Sequence, residues 1–234
     1  MKERISPRPR ACKRFAFLLL FFLVQLITMP LFERSMASGM AGDILNLLFL
    51  AAAAYAVKKS RYFKVAIIFG ACIILGETSG YFTDSVNILI FTNFISCTYL
   101  GLVTLIIAGS VARQREISAD SIMGGLCVYV LLGIFWTILF FNLELIKPGS
   151  FSFGVYGPPR DMVTSYRLLF FYSFVTLMTI GYGNVAPLSG MAQMLTILEG
   201  LIGQFYLIFF MTSLVGLYVS ERQYHRFTGD KEKK

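Results

Sequence analysis

Thr179-Ile180-Gly181-Tyr182-Gly183-Asn184 is the stretch on which the reading of the chain turns. Two glycines stand one residue apart, and Pro187 follows closely. An extended backbone whose successive carbonyls face one axis must alternate between ordinary and positive-φ conformations. Glycine reaches the second kind without a Cβ penalty, so Gly181 and Gly183 fall where such a strand needs them. Upstream, Leu168-Leu169-Phe170-Phe171-Tyr172-Ser173-Phe174-Val175-Thr176-Leu177-Met178 reads as an amphipathic aromatic half-helix. Downstream, a long apolar helix pattern begins near Met191. The three pieces together describe a re-entrant loop followed by a span, and irregular backbone is tolerated at membrane depth where it is buried in protein or lines water.

Composition agrees. Of 234 residues 56% are hydrophobic and only 15% are charged, with a mean hydropathy of +0.69. Soluble domains carry about 25% charged residues, so this is the composition of an integral membrane protein. The net charge of +8 does not point to nucleic acid, because the basic residues sit in short segments between apolar runs, where they orient a protein in a bilayer. Cys12, Cys72, Cys97 and Cys127 are far apart and form no metal-ligand spacing; three lie inside apolar runs, where a thiol behaves as a small hydrophobe. His225 is the sole histidine, so no histidine cluster can build a metal centre. With no nucleophile–base pair, paired carboxylates or phosphate loop, the chain does not read as an enzyme, and no cofactor is called for.

In chain order, residues 1–14 form a basic terminus. A first apolar run covers Phe15 to Leu31. It reads as a retained helix because secretory signal cores run only about 7 to 15 residues, although small residues at Ala37 to Ala41 keep a cleaved signal open as the rival. A short second run, Ile44 to Val57, ends in the basic turn Lys58, Lys59, Arg61 and Lys64. A third starts near Val65 and passes Leu75 toward Tyr81. The fourth covers Val86 to Val111 and the fifth Ile122 to Phe141. A proline-bearing loop leads to the half-helix, expected to start near Thr164 or Ser165, and the sixth run spans Met191 to Val219. About 20 apolar residues cross a bilayer, so the second and third runs are the weakest.

The central stretch resembles the pore domain of tetrameric potassium channels, whose filter reads Thr-Val-Gly-Tyr-Gly, usually followed by Asp. The resemblance runs from about Ile122 to Arg222. It implies an all-α membrane protein of six transmembrane helices, with a re-entrant pore helix and selectivity filter between the fifth and sixth. A ring of backbone carbonyls would replace the hydration shell of K+, supplied by Thr179, Ile180, Gly181, Tyr182 and Gly183, with the Thr179 hydroxyl at the inner end. One filter motif per chain implies a homotetramer around the pore axis. The resemblance divides the chain into a basic cytoplasmic N-terminus (1–14), a four-span membrane domain (15–112), a pore domain (113–222) and a charged cytoplasmic tail (223–234).

Sidedness can be counted under that topology. Six Lys and Arg fall before residue 15, four at 58–64, two at 113–115 and five after 219, so seventeen lie on the proposed inner side against Arg34, Lys147, Arg160 and Arg167 outside. This bias places both termini in the cytoplasm of a multi-pass protein of the plasma (inner) membrane. The fourth run, by contrast, has no Lys or Arg from Phe82 to Ala112. Moving one charge through 100 mV is worth about 2.3 kcal/mol, so a span without charges implies little or no voltage dependence.

Several pore positions depart from the family pattern or stand out within it. Asn184 replaces the usual Asp, Val175 stands where some relatives carry an acid, and Met178 stands where most have threonine, next to Thr176 and Thr179. Gly203 lies where a glycine can bend the inner helix, one turn after Gly200; the two could equally serve close helix approach, as small residues do in membranes. By the same register Gln204, Leu207 and Met211 would face a central cavity. Glu199 is an acid inside the last span, a position that defaults to a functional hypothesis: it either titrates and influences gating, pairs with a polar group behind the filter, or makes a structural hydrogen bond to the pore helix. Two alternatives to a potassium-selective channel are a less selective cation channel on the same scaffold and a non-conducting regulatory or scaffold subunit.

Overall fold

The computed structural model describes residues 14–28, 63–83, 86–114 and 118–231, which are helical along most of their length. Helices α1 (Arg14–Thr28), α2 (Phe63–Thr83), α3 (Val86–Ala112) and α4 (Ala119–Ile146) come first. A loop follows, carrying strand β1 (Phe151–Ser152) and a 3-10 turn at Gly154–Tyr156. Then come α5 (Met162–Leu177), strand β2 (Ala186–Pro187) and α6 (Gly190–Phe205). The last helix continues through a π-helical stretch, Tyr206–Met211, into α7 (Thr212–Lys231).

Among the described residues, three helices are long and apolar enough to cross a membrane: α3 with 27 residues, α4 with 28, and Gly190–Ser220 of the last helix with 31. Of the six expected spans, three are matched among the described residues. The described apolar stretches of α1 and α2 are Phe15–Val24 and Ile67–Gly76, inside helices of 15 and 21 residues, and the expected run at 44–57 lies outside the described residues. Helix α5 is an apolar helix of 16 residues, fewer than the roughly 20 that cross a bilayer.

The fifth expected run is longer than its apolar core because its ends are polar-capped. Ser118 and Ser121 form a reciprocal cap: the Ser121 N–H donates to Ser118 Oγ at 3.3 Å, and the Ser118 N–H donates to Ser121 Oγ at 3.0 Å. This starts α4 three residues before Ile122. At the other end Asn142 and Glu144 do not interrupt the helix, which stops before Pro148.

Helices α1, α3 and α4 share one core. Phe15, Leu18 and Phe22 of α1 pack with Leu100, Val103, Ile107 and Val111 of α3 and with Cys127, Val128 and Leu131 of α4. Asp120 Oδ1 accepts from the backbone N–H groups of Phe15 and Ala16, both at 3.2 Å, so α1 and α4 begin at the same end. Helix α3 ends there too: a Cβ on Gly124 would lie 2.8 Å from Val111 Cγ2 and 3.1 Å from the Phe15 ring. A second core at the opposite end joins Trp136, Phe140 and Phe141 of α4 to Phe151, Phe153, Leu168, Leu169, Tyr172 and Val185. It seats α5 against α4.

Candidate ion pathway

Helix α5 begins at Met162, slightly earlier than its apolar pattern suggests, because Asp161 caps it. The Thr164 N–H donates to Asp161 Oδ1 at 2.6 Å, satisfying one of the unpaired donors at a helix start. Hydrogen bonds from Thr164, chiefly its backbone N–H, hold the Asp161 carboxyl below its ordinary range, with Arg167 helping. At its other end α5 does not simply fray. Met178 N donates to Phe174 O at 3.0 Å, Thr179 N to Thr176 O at 2.9 Å, and Ile180 N to Val175 O at 2.9 Å. The last turn of α5 thus anchors the start of the glycine stretch, and the partial negative charge of its C-terminus lies beside it.

The glycine stretch alternates as its composition demands. Thr179, Gly181 and Gly183 have φ of +58°, +65° and +76°, and Ile180 and Tyr182 are not in the positive region. Alternation of the two hands is the backbone form that a row of carbonyls facing one axis requires. At Gly181 and Gly183 no atom lies within 4 Å of an added Cβ, so within one chain the demand for glycine is conformational, not a matter of space. Thr179 takes the same conformation with a side chain, which the sequence did not announce; its Oγ1 donates to Met178 O at 2.7 Å. Every residue from Met178 to Gly183 is exposed on the single chain. The Tyr182 ring stacks on Phe171 of α5, centroids 6.0 Å apart and planes 1° from parallel.

Beyond Gly183 the strand is tied down. Asn184 Nδ2 donates to the Tyr156 hydroxyl at 3.3 Å, so the amide that replaces the usual acid has a neutral partner. Gly154, at φ +45°, comes so close that a Cβ there would lie 2.7 Å from the Asn184 carbonyl oxygen. Strands β1 and β2 then pair antiparallel, Phe151 with Pro187 and Ser152 with Ala186. The Leu188 N–H adds a bond to Ser150 O at 2.8 Å. The Glu144 carboxylate accepts from Gly149 N at 2.8 Å and Phe151 N at 3.1 Å. The segments before α5 and after the glycine stretch are therefore fastened to each other and to the end of α4.

The inner side of α5 is joined to α6 at three successive points. The Tyr172 hydroxyl meets Thr196 Oγ1 at 2.7 Å. Ser173 Oγ lies 2.5 Å from Glu199 Oε1. At Gly203 an added Cβ would lie 2.7 Å from Leu177 Cδ1 and 3.2 Å from Leu177 O. The two helices thus approach closely at Gly203, while Gly200 has nothing within 4 Å of its Cβ direction. From α4, the Tyr129 hydroxyl donates to Leu177 O at 2.8 Å.

Below this seam the helix widens. The Thr212 N–H reaches back five residues to Leu207 O across the π-helical stretch. The Tyr206 hydroxyl donates to Gly125 O at 2.6 Å, and its ring stacks on Tyr129 at 5.9 Å. Gln204 and Leu207 are partly exposed. Met211 is partly exposed as well, and its sulfur lies beside α4: a Cβ on Gly125 would be 2.7 Å from its Sδ. A π turn inserts an extra residue and rotates everything after it, which a register carried at the α-helical period cannot follow.

Residues 149–220 match the family model described as an ion channel. The match runs from the loop before α5, through the glycine stretch, to the end of the apolar part of the last helix. No curated protein and no solved structure matches the chain. The match, together with the apolar helices, supports an ion channel embedded in a membrane, and points to a channel instead of an enzyme. Sequence reasoning did not single out Tyr129, Thr196 or Glu144 as parts of the site, and it placed Ser173 only as one letter of an aromatic run. For Ser173 a signal existed: a hydroxyl in an apolar half-helix opposite a lone intramembrane acid.

Proposed function

We propose that the chain is the subunit of a homotetrameric, potassium-selective channel in the plasma membrane, with six spans, both termini in the cytoplasm, and little voltage dependence. The backbone carbonyls of Thr179, Ile180, Gly181 and Tyr182, four of each around the axis, are the ligands that strip water from K+. The observation that carries this reading is the alternation of positive φ at Thr179, Gly181 and Gly183 in a stretch left exposed on the single chain. A strand with its carbonyls gathered to one side and no cover of its own is unfinished as a monomer, and copies of itself supply the missing wall. The match to an ion-channel family over 149–220 agrees. The last helix supports it further: Met194, Leu198, Leu201 and Phe205 are exposed along one face and Ile197 and Ile208 beside it, apolar surface for both neighbours and lipid. The absence of Lys and Arg through α3 supports weak voltage dependence.

The test is potassium flux into liposomes containing the purified chain, with Gly181→Ala as the control. At φ +65° a side chain costs about 1–2 kcal/mol, and four copies share the defect, so Gly181→Ala should abolish flux while the protein still reconstitutes. Flux unchanged by the substitution refutes the filter. Reversal potentials in mixed potassium and sodium separate a selective channel from a less selective one, and absence of flux in the unsubstituted protein identifies a non-conducting subunit.

A further inference from the structure

Glu199 has no side-chain exposure, and neither has Ser173 facing it. Ser173 Oγ lies 2.5 Å from Glu199 Oε1 and 2.9 Å from the Gly133 carbonyl of α4. At Gly133 α4 and α5 approach closely: a Cβ on it would lie 2.7 to 2.9 Å from the Phe174 ring. Among the described residues, Glu199 Oε2 has no hydrogen-bond partner. The cluster thus joins all three helices that hold the glycine stretch.

The protons can be counted. A serine hydroxyl has one proton to give. With Glu199 as a carboxylate, two acceptors compete for that proton and one close contact is left between bare oxygens. With Glu199 as a carboxylic acid, Oε1–H donates to Ser173 Oγ, Ser173 donates to Gly133 O, and every contact has its hydrogen. The second state also avoids a wholly buried charge with a single donor, which is costly. No cation offsets such a charge: among the described residues the titratable groups facing Glu199 are Tyr129 from α4 and Tyr172 from α5, and no Lys or Arg acts on it. Helix α6 carries no other charged residue.

We propose that Glu199 is a positioning residue for the glycine stretch: as the acid it holds a relay from Glu199 through Ser173 to Gly133 that fixes α5 between α4 and α6, and its ionisation releases α5. This rests on the channel reading. Loss of the proton makes Ser173 turn to the carboxylate, frees the Gly133 carbonyl and leaves Oε2 charged without a donor. The structure then relaxes at the root of the strand that α5 anchors. The sign follows: the relay is intact at low pH, and conduction falls as pH rises.

The full chain in liposomes is assayed for potassium flux from about pH 5 to about pH 9, beside Glu199→Gln, whose amide donates to Ser173 at every pH. The wild-type flux should fall about tenfold per pH unit beyond the ionisation of one carboxyl, and Glu199→Gln should conduct without that slope. Infrared absorption of the wild type should show a carboxylic acid C=O band that fades over the same pH range and is missing from Glu199→Gln. Wild-type flux that is flat with pH overturns the relay and leaves the channel standing. A slope retained in Glu199→Gln overturns it too, because another group is then titrating. Absence of flux at every pH overturns both. If Glu199→Gln fails to assemble, the wild-type infrared titration decides alone, and no pH-dependent acid band means no relay.

Discussion

Substituting Gly203 and Gly200 by alanine, separately, asks whether the inner helix is built to bend or to be touched. Inside a helix each replacement removes backbone freedom and on that account stabilises by about 1 kcal/mol. At Gly200 nothing within 4 Å opposes the new methyl, so Gly200→Ala should be neutral to stabilising. At Gly203 the methyl would sit 2.7 Å from Leu177 Cδ1 and 3.2 Å from Leu177 O. A side chain can turn away, but a carbonyl that also receives the Tyr129 hydroxyl at 2.8 Å cannot yield without moving the end of α5. Overpacking of this kind costs about 1–3 kcal/mol, which the helical gain offsets only in part. For a chain of this size a net loss of about 1 kcal/mol lowers Tm by roughly 2–4 °C. Thermal unfolding of the purified protein in detergent measures this, and liposome flux measures the consequence for the glycine stretch, whose first bonds are made to the last turn of α5. Gly203→Ala should lose both stability and flux; Gly200→Ala should keep both. If Gly203→Ala is as stable and conductive as the parent while Gly200→Ala is not, the inner helix bends or packs elsewhere, and the close-approach reading of Gly203 is wrong.

Two more outcomes follow from the same geometry. Tyr129→Phe keeps the ring stacked on Tyr206 but removes the donor to Leu177 O; the loss of one hydrogen bond, about 1 kcal/mol, should lower Tm by a few degrees, and an unchanged Tm would show that the bond contributes nothing. The Asp161 carboxyl is held below its ordinary value of 3.8 by the Thr164 N–H, so its stabilising contribution is complete above that value and fades as pH falls through the lower folded one. Thermal unfolding followed toward acid should show this decline in the parent and a weaker one in Asp161→Ala, whereas identical acid profiles would discount the cap.

What could be read in advance was whatever depends on local chemistry. The positive-φ positions at Gly181 and Gly183 follow from the residue type alone, and so does the apolar length of α3, α4 and the last helix. The start of α5 precedes its apolar pattern because an exposed Asp161 outside the apolar run does the capping, and apolarity does not see caps. Thr179 is harder still: a β-branched residue gives no notice of positive φ, and only the anchoring of Thr179 N and Ile180 N to α5 carbonyls forces it. Glu144 sits in a segment that looks like the polar end of a span, yet it binds two backbone N–H groups of the loop, a contact fixed by where the chain doubles back.

The inner helix shows why register cannot be carried far past a site. Up to Gly203 the α-helical period serves: Thr196, Glu199 and Gly203 all meet α5, at spacings of three and four residues. Then Tyr206 sends its hydroxyl across to the Gly125 carbonyl, and Gly125, lacking a side chain, leaves the space that Met211 Sδ fills. Both contacts pull the helix toward α4, and the π-helical stretch from Tyr206 to Met211 is the backbone's answer to them. A glycine in α4, some eighty residues upstream, therefore helps decide which face of the last helix turns toward α4. Periodicity is a property of the helix alone, and this departure from it is imposed by the neighbour.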